Sequence, residues 1–188
     1  MKLDDNPKPP QARSHHHSEI SIGAVRVFVA PEEWPPFIVD AMAAEEDTFL
    51  VLSANPEVQE TKENPGRLMA ELLATPPAEP GSVTVRGENP SWLLAVVHDL
   101  EREPSWKEEW IISALDGIIR EVETRKLRSI ALPMLGTLHG SLEKQRFLVL
   151  LREALERSSP EHLARLWLVG PAGTTGEVLG MLASILKN

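Results

Sequence analysis

Few residue clusters in this sequence of 188 residues could do chemistry. The densest is the stretch from Ser129 to Ser141, Ser-Ile-Ala-Leu-Pro-Met-Leu-Gly-Thr-Leu-His-Gly-Ser. A short apolar run enters it, Gly136 and Gly140 punctuate it, and an amphipathic run starts at Leu142, which reads as strand, glycine loop and helix. Loops so placed expose backbone N–H groups where anionic ligands are favoured. Glycine lets a phosphate approach the main chain closely. Pro133, Gly136, Thr137, Leu138, His139 and Gly140 are thus the candidate ligand contacts, with the Thr137 hydroxyl as a further donor. A tight connection with Ser141 as helix N-cap explains the same residues without a ligand.

Three further positions carry polar chemistry. Asn55, in Ser53-Ala54-Asn55-Pro56, can exchange hydrogen bonds with a ribose or a carbonyl, or can fix a turn before proline. His98 and Asp99 follow an apolar run, and His139 lies in the glycine loop. Histidine titrates near neutrality and a carboxylate can orient it, so His98, Asp99 and His139 are the candidate catalytic residues. Two histidines and an aspartate also suit a metal, and incidental roles remain open because spacing does not fix their separation. No serine sits in a convincing nucleophile elbow. Trp110 and Trp167 are expected in the core; Trp34 and Trp106 flank predicted helices near the crevice, where core or edge packing is the expected use of each and covering a base or a partner surface is the alternative.

Composition narrows the functional classes. The formal charge of -9, from 28 acidic and 19 basic residues, argues against broad nucleic-acid or anionic-membrane binding but leaves room for a local basic patch. Without cysteine the chain has no disulfide, thiol nucleophile or thiolate-rich metal site of its own. The N-terminus lacks an apolar signal core and no run approaches a membrane span, so a cytoplasmic protein is expected. Residues 1–18, with His15, His16 and His17, read as a flexible arm, and 19–188 as a single α/β domain.

The elements that position these residues follow from periodicity. Val25–Ala30, Phe49–Leu52, Trp92–Val97, Ile130–Leu132 and Ala164–Val169 read as strands, with Ser82–Arg86 as a short edge strand. Pro35-Pro36 opens a predicted helix over Phe37–Ala44, and Asn64-Pro65 opens one bearing Leu68, Met69, Leu72 and Leu73. Ser105 with Glu108 and Thr174 with Glu177 have capping-box spacing. Trp110, Ile111, Ala114, Leu115, Ile118, Ile119 and Val122 form a broad apolar helix face. Phe147, Leu148, Leu151, Ala154 and Leu155 mark the next, and a final helix follows Thr174. Strands alternating with helices predict a three-layer α/β/α arrangement around a mixed, mostly parallel sheet.

With these pieces the chain, over roughly Val25 to Val169, resembles a divergent macro domain, the α/β module that in many members binds ADP-ribose or related nucleotides and in some hydrolyses such adducts. Leu52-Ser53-Ala54-Asn55-Pro56 is similar to the family's Asn-Ala-Ala-Asn segment after an early strand, Val96-Val97-His98 to its strand ending in histidine, and Ser129–Ser141 to its apolar-Pro-x-x-Gly-Thr-Gly-x-x-Gly loop. Leu138 replaces the middle glycine, and Ser141 holds the last glycine's position. Ala30-Pro31-Glu32-Glu33 stands where the family has Gly-Asp-Ile, so Glu32 or Glu33 is the substitute for its adenine-contacting aspartate. Glu57 to Gly66 carries acids in place of a glycine run. The resemblance implies a binding module for a nucleotide or small phosphorylated ligand, without a cofactor or resident metal. The alternatives are a hydrolase of an ADP-ribose or phosphoester derivative, and a scaffold that binds a protein partner or another copy of itself through a degenerate pocket.

Overall fold

The computed structural model describes residues 19–52 and 76–187. The strands are β1 (Glu19–Ile22), β2 (Val25–Ala30), β3 (Ala41–Asp47), β4 (Val83–Arg86), β5 (Ser91–His98), β6 (Ser129–Pro133) and β7 (Arg165–Val169). The helices are α1 (Glu108–Arg125), α2 (Lys144–Ser158) and α3 (Thr175–Ile185). The strands form one sheet in the order β1-β2-β7-β6-β3-β5-β4. Its inner five strands are parallel, and β1 and β4 pair antiparallel at the two edges. This is the expected α/β fold with a mixed, mostly parallel sheet.

Side-chain alternation explains how the sheet is held. Val27, Val29, Ala43, Leu93, Ala95, Val97, Ile130, Leu132, Leu166 and Leu168 point to one face and join a buried cluster with all three helices. The predicted apolar face of α1 is buried throughout. Phe147, Leu148, Leu151, Ala154 and Leu155 of α2 are buried too, joined by Leu150. Burial of each large side chain stabilises the fold by about 1.5–3 kcal/mol. On the opposite face Ala30, Ala131 and Trp167 pack with Phe37, Val39, Met42 and Val169. The Trp167 indole N–H donates to the Ala30 carbonyl at 3.0 Å, which satisfies its buried polar atom.

The structure corrects the reading of the segment from Phe37 to Leu52. No helix covers Phe37–Ala44; Ala41–Asp47 is strand β3, paired with β5 and β6. Alanine favours helix locally, but two parallel neighbours supply its backbone partners, so tertiary pairing overrides propensity. Phe49–Leu52 is not a strand. The Asp47 carboxylate accepts the Phe49 N–H, Leu50 N–H donates to the Asp47 carbonyl, and Leu50 takes φ 57°, which turns the chain.

Helix starts also differ from expectation. Lys107 caps α1, Glu143 caps α2 in place of Ser141, and neither makes a side-chain cap hydrogen bond. Thr174 does cap α3, but its hydroxyl donates back to the Pro171 carbonyl, so neither predicted capping box forms. Strand β1 is an element that periodicity missed; Gly23, at φ 57°, turns it into β2. The expected N-terminal arm, the helix bearing Leu68–Leu73 and the Glu57–Gly66 segment lie outside the described residues.

Candidate functional site

The parallel strands share a direction, so their C-terminal ends, Ala30, Asp47, His98, Pro133 and Val169, meet at one edge of the sheet. Ligands in open α/β sheets bind at that edge, where flanking connections part. A cavity of about 320 Å³ runs from there along the sheet to Met42 and Trp92 near the starts of β3 and β5, lined also by Glu32, Ala44, Glu45, Leu52, Ala131, Pro133, Met134, Leu138, His139 and Val169. Its wall is mostly apolar, with carboxylates at Glu32 and Glu45 and an imidazole at His139. An aromatic or aliphatic body with a hydrogen-bonding edge suits such a wall.

The glycine loop borders this cavity, and packing explains its glycines. Gly136 has φ +74°, and a side chain there would drive into Ile111 of α1. A side chain at Gly140 would meet the Gly136 carbonyl at 2.5 Å and the Trp106 ring at 3.2 Å. Thr137 turns inward: its N–H and its hydroxyl both donate to the Met134 carbonyl, at 3.1 and 2.7 Å. Leu142 N–H donates to the Gly136 carbonyl. The N–H groups of Leu138, His139, Gly140 and Ser141 donate to no acceptor among the described residues. Leu138 itself is 80% exposed.

One loop donor is already used. The Gly136 N–H donates to Glu45 Oε2 at 2.8 Å, and Glu45 Oε1 is hydrogen-bonded to Nε2 of His98. His98 is 2% exposed, so this contact is sheltered from solvent. The chain's own carboxylate therefore sits where the loop would first offer an N–H to an anion. The next two residues of β3, Glu46 and Asp47, are also buried acids. Glu46 accepts the Leu52 N–H at 3.0 Å, and Asp47 accepts the Phe49 N–H at 2.6 Å while its other oxygen is buried with no hydrogen bond among the described residues.

The predicted catalytic residues are close in space but differ in access. The His98 and His139 rings lie edge to face, with centroids 6.2 Å apart. Asp99 is buried, accepts the Glu101 N–H at 3.1 Å and pairs with Arg102 at 2.8 Å. Of the three, His139 alone lines the cavity. Among the described residues no group of three or more His, Asp or Glu side chains is arranged to hold a metal. Asn55 lies outside the described residues. The early strand ends in Glu45-Glu46-Asp47, ahead of the Leu52–Pro56 segment aligned with the family's asparagines. Glu45 escaped the sequence reading because Ala41–Glu46 carries no β-branched residue to mark a strand.

The chain matches no protein-family model and no curated protein. Solved structures do match. A mutant of the Oceanobacillus iheyensis macrodomain with ADPR is 14% identical, with 90% of this chain and 96% of that one covered at a TM-score of 0.62. The same macrodomain with ADP gives 13% identity, coverage of 90% and 94%, and a TM-score of 0.61. The macrodomain of Thermus aquaticus DarG is 21% identical over 78% of this chain and 99% of its own, at a TM-score of 0.56. With the strand order and the glycine loop above, these matches show that the chain has the macro-domain fold.

Proposed function

We propose that the chain is a noncatalytic binding module for a nucleotide or related small ligand, held at the C-terminal edge of the sheet. The observation that carries this reading is the mostly apolar cavity lined by Trp92, Met42 and Leu138, with Glu32 on its wall and, at Leu138 and His139, loop N–H groups that have no acceptor among the described residues. A purine or similar ring would enter the apolar part, and the Glu32 carboxylate would accept from an exocyclic amine. A phosphate would be held by the N–H groups from Leu138 to Ser141. Two solved structures of the same fold, of the Oceanobacillus iheyensis macrodomain, are with ADPR and with ADP, which supports a ligand of this class. Titration calorimetry of the chain with adenosine and with ADP-ribose tests the reading. Saturable binding of adenosine, with ADP-ribose no more than modestly tighter, is expected; no heat from either ligand at millimolar concentration would overturn it.

Glu45 favours a second reading. A carboxylate fixed on the Gly136 N–H opposes a second anion at that place, as in a scaffold that keeps the fold and presents the edge of its sheet to a protein partner. Exposed Trp34, Phe49 and Val51 would supply part of such a surface.

A further inference from the structure

At the opposite end of the sheet, the starts of the parallel strands gather cations on a chain whose formal charge is -9. Arg26 of β2 and Arg165 of β7 are direct partners in the parallel register, so their side chains leave the same face next to each other. Arg128 immediately precedes β6, the other neighbour of β7, and its carbonyl accepts the N–H groups of Ala164 and Arg165. Lys126 stands in the left-handed turn that closes α1. These four cations line one open pocket of about 700 Å³.

Like charges directly opposite each other in a sheet destabilise it, so an arginine pair needs an explanation. Internal neutralisation is slight. Arg26 has only a 3.9 Å contact with the exposed Glu19, and Arg128, Arg165 and Lys126 form no ion pair among the described residues. Two carboxylates also line the pocket. That of Asp40 is turned to the chain, where one oxygen accepts the N–H groups of Arg128 and Ser129 and the Ser129 hydroxyl at 2.8, 2.9 and 3.0 Å. Glu88 is exposed and opposes an anion, yet Asp40 and Glu88 together are two carboxylates against four cations. The Arg165 guanidinium lies 4.5 Å from the centroid of Phe37, which restrains it before any ligand arrives.

We propose that this pocket is a second binding site, for a small molecule bearing phosphate groups. Guanidinium forks match phosphate oxygens in pairs, and Arg26, Arg128 and Arg165 converge from three neighbouring chain segments. The volume is that of a small-ligand site, and the negative charge of the rest of the chain disfavours an extended polyanion. The pocket shares no lining residue with the cavity that holds His139.

Two-dimensional amide NMR of the full chain titrated with inorganic pyrophosphate tests it. Saturable shifts at Arg128, Ala164 and Arg165 are expected, and the R128Q/R165Q double variant should weaken them at least about tenfold. Arg165→Lys keeps the charge without the fork and should fall between the two. The same spectra show that each variant is folded. Non-saturating shifts spread over all exposed cations, equal saturation in the double variant, or no change at these amides would each overturn the proposal.

Discussion

The Glu45 carboxylate joins two strands to the glycine loop: one oxygen accepts the Gly136 N–H at 2.8 Å, and the other is hydrogen-bonded to His98 of β5. A phosphate in this loop would meet a fixed negative charge where the fold offers its first donor. Glu45→Gln removes that charge and keeps the shape. Affinity for ADP-ribose should rise about tenfold, equivalent to about 1.4 kcal/mol, while affinity for adenosine should stay the same. Glu45→Ala strands both partners and should cost about 1–3 kcal/mol of stability, read from urea unfolding.

The loop glycines should prove structural when replaced. Gly136→Ala forces a side chain onto a left-handed backbone and into Ile111, and Gly140→Ala presses on the Gly136 carbonyl and Trp106. Each should lower unfolding stability by about 1–3 kcal/mol. Gly173→Ala is the comparison for backbone strain alone: it shares the positive φ, but its Cβ would meet nothing within 4 Å, so its loss should be smaller.

Trp92 tests the cavity wall. It is 42% exposed and lines the cavity from β5, so truncation leaves the core in place. Trp92→Ala should weaken adenosine binding by about 1–2 kcal/mol in calorimetry, with a change in unfolding midpoint much smaller than for the glycine variants.

Acid stability should depend on a carboxylate far from the site. Burial pushes the Glu123 carboxyl up, but hydrogen bonds from the His162 ring and from the N–H groups of His162, Glu161 and Leu163 outweigh it and hold it below the ordinary 4.5. The folded pKa is lower than the unfolded one, so the group stabilises the fold above the unfolded pKa. That contribution is lost as pH falls through the folded value. Glu123→Gln should therefore be less stable than the parent near neutrality, and the gap should narrow as pH is lowered below 4.5 in a series of urea unfolding curves.

Helix positions were legible in the sequence because α1 and α2 each bury one continuous apolar face, whose residues recur at helical spacing. The strands feeding the site, β5 and β6, were legible as apolar runs with buried neighbours on both sides. Strand β3 was not. Its Ala-Met-Ala-Ala core reads as helix by propensity, and only pairing between β5 and β6 makes it a strand. That misreading hid Glu45, because its inward position depends on a register no local pattern states. The glycine loop was found, but its use of a distant carboxylate, 91 residues away in sequence, is a tertiary fact. The Arg26–Arg165 pairing is of the same kind, since β2 and β7 come from opposite ends of the chain.

The most direct test of the binding reading is a crystal structure of the protein soaked with ADP-ribose. Density for the base between Trp92 and Leu138, with a phosphate on the N–H groups from Leu138 to Ser141 and Glu45 still on Gly136, is the expected result. An empty cavity at saturating ligand, or a ligand bound only elsewhere on the molecule, would contradict it.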